Sequence, residues 1–222
     1  MTDTGADPGA GGRDAVTGYP VSLVLTGRRC VVVGGGRIAA RKIAGLLEAG
    51  AQVVVIAPEP GEQVRGWAAE GTVTLHERAF APADLDGAWL AFTATGDPAV
   101  DRAVAATAEA ARVWLGTADD PEVGSLTSVS ALRRGDLLVA VGTGGRSPAL
   151  AAWLRRRLGE EIGPEYARLV DIMSEARERL RAEGRPTEGA DWQTALDSGM
   201  LDLIRAGRVD EAEELLRACL WS

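Results

Sequence analysis

The chain has 222 residues, of which 46% are hydrophobic and 25% charged, and a net charge of −8. That length holds one sizeable core, or a nucleotide domain of about 140 residues with a smaller companion. The acidic balance excludes nucleic acid as an expected partner, and no stretch approaches the roughly 20 apolar residues of a membrane helix. Cys30 and Cys219 are too few for a disulfide scaffold. Residues 1–18, MTDTGADPGAGGRDAVTG, have neither an apolar run nor a basic start. They read as a disordered leader and not a signal peptide, which makes a cytoplasmic location the expectation.

The first element is the run RRCVVV, residues 28–33, of the kind buried parallel strands show. Gly34, Gly35 and Gly36 follow it, and RIAARKIAGLLEAG then recurs at helical period, with Ile38, Ala39, Ile43, Leu46 and Leu47 on one side. Strand, glycine turn and helix in this order are the setting that a dinucleotide fingerprint requires. Gly34 would allow the tight turn, Gly36 the close approach of a pyrophosphate, and Ala39 the packing of helix on sheet. The first helical residues, Arg37 and Ile38, would offer backbone N–H groups and the positive end of the helix dipole to the phosphates. A merely structural turn is the competing reading.

The second strand, AQVVVIAPE, ends near Glu59, the carboxylate placed to hold the adenosine ribose. No arginine immediately follows to receive a 2′-phosphate, which favours NAD over NADP. Further strands are expected at 73–76, 88–95, 112–116 and 136–142, with a helix at 97–111 that Asp97-Pro98 would start. The alternation is that of a doubly wound α/β sheet. The loop TATGD, residues 93–97, leaves a strand at its C-terminal end, where such sheets place ligands, so Thr95 is expected to line the cofactor cleft.

Later, GTGGRSP supplies a glycine-rich turn in which Ser147 caps and Pro148 opens a helix. Its amides suit an anion, or serve only a tight connection. From residue 147 onward three apolar stripes at helical spacing are expected, led by Tyr166, Trp192 and Val209, with EGRPTEGAD as a linker. For proton transfer the candidates are few. His76, the single histidine, ends a short strand and reads as an edge residue, and no zinc ligand set or other metal site is expected. Asp119 and Asp120 follow the strand RVWLG directly and are the best carboxylates, either for a proton beside a nicotinamide or for a turn at Asp-Asp-Pro.

The ordered segments VVVGGGRIAARKIAGLLEAGAQVVVIAPE, FAPADLDGAWLAFTATGDPAVDRAV, GTADDPEVGSL and LLVAVGTGGRSPALAAWLRRRLGEEIGP resemble the precorrin-2 dehydrogenases, which occur alone or as the N-terminal half of siroheme synthase. The resemblance covers about Tyr19 to Arg181. It implies a Rossmann-type parallel sheet (19–117), a dimerisation region contributing to the active cleft (118–147) and a small helical domain (148–222). It implies oxidation of a tetrapyrrole, precorrin-2, to sirohydrochlorin by NAD⁺ in a homodimer, and in some members insertion of Fe²⁺ as a second substrate. By the same resemblance Asp119 is the essential carboxylate, while Thr143 and Ser147 lie near the tetrapyrrole. Arg146 is the favoured partner for its carboxylates.

Two positions depart from the family pattern: Gly116 stands where Asn is common, and Val129 stands near a usual proline. Both bear on the substrate more than on NAD. The alternatives are an NAD-dependent enzyme on the same scaffold with another substrate, and a nucleotide-sensing regulatory protein. The glycine-rich turn before the arginine helix disfavours the latter.

Overall fold

A computed structural model describes residues 18–118 and 123–221. Residues 1–17 of the expected leader, and Asp119 and Asp120, therefore lie outside the described residues. Contacts divide the described chain into two units, one ending at Ser128 and the other beginning at Val129.

The first unit is a five-stranded parallel sheet in the order β3-β2-β1-β4-β5. Its strands are β1 (Arg29–Val33), β2 (Gln52–Ile56), β3 (Thr74–His76), β4 (Leu90–Thr93) and β5 (Trp114–Thr117). The central strands read as continuous apolar runs because both their faces are covered. Cys30, Val32 and Val55 face a core shared with Ala39, Ile43 and Leu46 of α1 (Arg37–Glu48). Val31, Val33 and Ala91 face another core with Val104 and Ala108 of α3 (Pro98–Ala111). Fully burying each such valine, leucine or isoleucine contributes about 1.5–3 kcal/mol. Ile38, expected on the packed side of α1, is instead 37% exposed at the helix start.

The structure adds α2 (Glu62–Ala69), between β2 and β3. Only Val64 is buried there, so the segment lacks the stripe that marks a packed helix. α3 starts as expected: Asp97 Oδ1 accepts from the Ala99 N–H at 2.8 Å, and Pro98 occupies the first helical position.

The second unit opens on an antiparallel hairpin, β6 (Ser130–Arg134) and β7 (Leu137–Val141). The strand expected at 136–142 thus belongs to a separate two-stranded sheet and does not continue the parallel one. The hairpin packs with α4 (Pro148–Glu161) and α5 (Glu165–Ala182). The expected second stripe is two short helices, α6 (Trp192–Asp197) and α7 (Met200–Arg205), because Gly199 at φ 88° breaks the run. With α8 (Val209–Leu220) they close a core around Ile172, Leu180, Ala195, Met200, Ala212 and Leu216. No helix of the described residues is long and apolar enough to cross a membrane.

Candidate nucleotide-binding site

The strand order reverses about β1, so the crevice above the ends of β1 and β4 is the ligand position of this architecture. The three glycines after β1 fill different roles there. Gly34 has φ 120°, and a Cβ on it would lie 2.3 Å from the Ala94 carbonyl oxygen. A Cβ on Gly35 would lie 2.6 Å from Pro60 Cα. Both glycines are therefore needed to seat the turn between the ends of β4 and β2. Backbone bonds fix it: the Gly34 N–H donates to the Ile56 carbonyl and the Gly61 N–H to the Gly35 carbonyl, each at 2.9 Å.

Gly36 differs. It is exposed at the N-cap of α1, and a Cβ there would meet nothing within 4 Å. No side chain caps α1, and no acidic residue lies in its first turn. The opening N–H groups of a helix have no intrahelical partner, and every other described α-helix compensates with a side-chain cap or an acid in its first turn. The α1 start, with Arg37 and Ile38 exposed beside it, is thus an uncompensated positive dipole end facing open space. A dinucleotide's pyrophosphate fits this cradle.

Thr95 sits in the loop after β4, across from Gly34. Its hydroxyl donates to Asp101 Oδ1 at 2.6 Å, and the fully buried Thr93 hydroxyl donates to the same oxygen. Asp101 therefore stiffens the loop, a role the sequence did not suggest. Glu59 is exposed next to Pro60, the residue that packs on Gly35. Nearby arginines are engaged: Arg65 pairs with Glu77 at 3.0 Å and Arg78 with Asp84. His76 is exposed on edge strand β3.

Beside β5 the chain returns as a short parallel bridge, Gly116 to Leu126. The Ser125 and Leu126 N–H groups donate to the Leu115 carbonyl at 2.9 and 3.0 Å, and Ser125 Oγ accepts from the Leu115 N–H at 2.8 Å. A Cβ on Gly116 would lie 2.3 Å from the Phe92 ring, so this packing leaves no room for the family's common Asn. The one lysine of the chain, Lys42, reaches from α1 over that ring. Burial, then the neighbouring Arg41, push its pKa below the usual lysine value.

The substrate candidates lie in the second unit. Thr143 Oγ1 accepts from the Ser147 N–H at 3.1 Å, and Ser147 Oγ caps α4 through the Leu150 N–H at 3.3 Å. Gly144 and Gly145 turn the chain with φ of 58° and 76°. Arg146 is exposed. Among the described residues no group of three or more His, Cys, Asp or Glu side chains is placed to hold a metal ion. Cys30 is fully buried, which pushes its thiol up to about 11 and removes it from chemistry.

Fold and turn together define a Rossmann-type dinucleotide-binding unit followed by a hairpin-and-helix unit. An NAD(P)-binding family model matches residues 21–130, and a model described as sirohaem biosynthesis protein central matches residues 134–161. The siroheme synthase of Nitrosococcus oceani is 36% identical over 203 residues, covering 90% of this chain and 43% of that protein. The siroheme synthase of Chromobacterium violaceum is 38% identical over 196 residues, 87% of this chain and 41% of the relative. Among solved structures, SirC, a precorrin-2 dehydrogenase, superposes with a TM-score of 0.68 at 26% identity, over 90% of this chain and 99% of that one. The chain is a homologue of the siroheme synthase and precorrin-2 dehydrogenase family across most of its length. It spans less than half the length of the siroheme synthases it matches.

Proposed function

We propose that this chain oxidises precorrin-2 to sirohydrochlorin, with NAD⁺ as the acceptor. The observation that carries the reading is the α1 start: an uncapped helix end at the sheet crossover, opening on space that Gly36 leaves clear. Bound there, NAD⁺ supplies a hydride acceptor. Gly36, Arg37 and Ile38 hold the pyrophosphate through backbone N–H groups, and Glu59 accepts from the ribose hydroxyls, which selects NAD over NADP. Thr95, braced by Asp101, walls the nicotinamide side of the crevice.

Oxidation removes a proton as well as a hydride. Asp119 is assigned that proton by its match to the family's carboxylate and its place just past β5 in the sequence. A substrate with eight carboxylates calls for cations and amide donors, and Arg146 with the turn at Thr143 and Ser147 provides them. The β6–β7 hairpin supports a homodimer: two strands alone are marginal, and the outer edges of both pair with no strand among the described residues.

The test is anaerobic incubation of the purified chain with precorrin-2 and NAD⁺, followed by absorption. Sirohydrochlorin should form only when NAD⁺ is present, and Asp119→Asn should slow it while NAD⁺ still binds. Unchanged precorrin-2 with the wild-type chain would move the assignment to another substrate. Adding Fe²⁺ afterwards asks whether metal insertion, with Fe²⁺ as second substrate, belongs to the same chain.

A further inference from the structure

We propose that Lys42 is a positioning residue that fixes the segment Gly124–Ser128 against β5 from the helix bearing the nucleotide site. Its importance for turnover rests on the function proposed above. The Lys42 ammonium donates to Ser128 Oγ at 2.7 Å and lies 4.9 Å from the centre of the Phe92 ring. Among the described residues no carboxylate pairs with it, although a half-buried charge ordinarily acquires one. A hydroxyl and a ring face stabilise it, the latter seated by the absence of a side chain at Gly116.

The near end of the segment is already anchored. Ser125 and Leu126 hold Leu115 of β5 through three hydrogen bonds. Without Lys42 the far end has no such tie among the described residues: Thr127 and Ser128 are exposed, and the second unit begins at the next residue, Val129. Lys42 closes the segment at this end. It does so from a point six residues past Gly36, about 9 Å along a rigid helix from that turn. The same helix thus holds the phosphate end of the site and the chain that leaves β5.

Three variants of the full chain test this: Lys42→Met, Lys42→Arg and Ser128→Ala. Amide hydrogen exchange over residues 124–128, NAD⁺ affinity and steady-state oxidation of precorrin-2 are measured for each. Lys42→Met and Ser128→Ala should accelerate exchange at Ser125 and Leu126 by about tenfold while α1 and β1 keep wild-type protection. NAD⁺ affinity should stay within about threefold, kcat should fall by about tenfold, and Lys42→Arg should recover both exchange and kcat because it keeps the cation and the donor.

Unaltered exchange in Lys42→Met overturns the proposal. So does a loss of NAD⁺ affinity that matches the loss of kcat, since that marks general damage to the domain. If Lys42→Met does not fold, Ser128→Ala, at an exposed position, decides in the same way. If the wild-type chain leaves precorrin-2 unchanged, the proposed reaction is wrong, and exchange with NAD⁺ binding still decides the role of Lys42.

Discussion

Gly34 lies so close to Ala94 that a β-carbon on it would come within 2.3 Å of the Ala94 carbonyl oxygen, whereas Gly36, two residues later, has open space on the same measure. The two glycines therefore fail differently when replaced. Gly34→Ala combines a left-handed φ with a backbone collision and should cost roughly 2–4 kcal/mol of stability. Gly36→Asp should do the opposite to the fold. An Asp N-cap stabilises α1 by a few tenths of a kcal/mol over Gly, yet it places a carboxylate where the phosphates would sit. Thermal unfolding and NAD⁺ titration of both variants check the pair. Wild-type NAD⁺ affinity in a folded Gly36→Asp chain would remove the pyrophosphate from this turn.

Nucleotide choice follows from the charges around the end of β2. Glu59 is exposed there, Arg65 is paired with Glu77, and Arg78 is paired with Asp84. A 2′-phosphate would meet a carboxylate and no uncommitted guanidinium from these two arginines. NAD⁺ should bind about tenfold or more tighter than NADP⁺, and Glu59→Gln should narrow the gap chiefly by weakening NAD⁺. Calorimetric titration with each nucleotide checks it, and a preference for NADP⁺ would refute the assignment of Glu59.

The glycine turn was legible because its chemistry is local: strand, turn and helix lie within twenty residues, and each obeys its own period. The buried runs of β1 and β2 were legible for the same reason. What the sequence hid were relationships across distance. Lys42 and Ser128 are 86 residues apart, and the only signal was that Lys42 is the single lysine. β6 went unread because only Leu132 of its five residues is buried, and two arginines mask the alternation. Residues 136–142 do form a strand, but periodicity alone could not say which strand it pairs with.

Acid should weaken the first unit through Asp84. This residue is 7% exposed, receives the Arg78 guanidinium and accepts the Ala81 N–H at 2.8 Å. The Arg78 hydrogen bonds, outweighing burial, hold its carboxyl below the ordinary value of 3.8. A lowered folded-state pKa means that the contribution is complete above the unfolded value and is lost as pH falls through the folded one. Asp84→Asn should therefore be less stable at neutral pH by roughly 1–2 kcal/mol, with the difference narrowing as pH falls below the ordinary carboxylate value and closing below the lowered folded-state one. Urea unfolding of both chains across this range is the measurement. A gap that persists unchanged into acid would mean that packing, not charge, carries the role of Asp84.

Assembly is the remaining prediction, and it turns on surfaces of the second unit. β6 and β7 pair only with each other among the described residues, and Leu132 is their one buried hydrophobic side chain. On α4, Leu150 and Trp153 are 46% and 44% exposed, with the Arg157 guanidinium 5.2 Å from the Trp153 ring centre. An open strand edge beside exposed apolar residues invites pairing, and a second copy of the chain offers the same edge in return. Light scattering should give twice the chain mass of 23.2 kDa at micromolar concentration. Leu150→Glu with Trp153→Glu should shift the population toward the single-chain mass while circular dichroism keeps its helical signal. A wild-type chain that stays at the single-chain mass would remove the dimer, and with it any contribution of a second copy to the tetrapyrrole cleft.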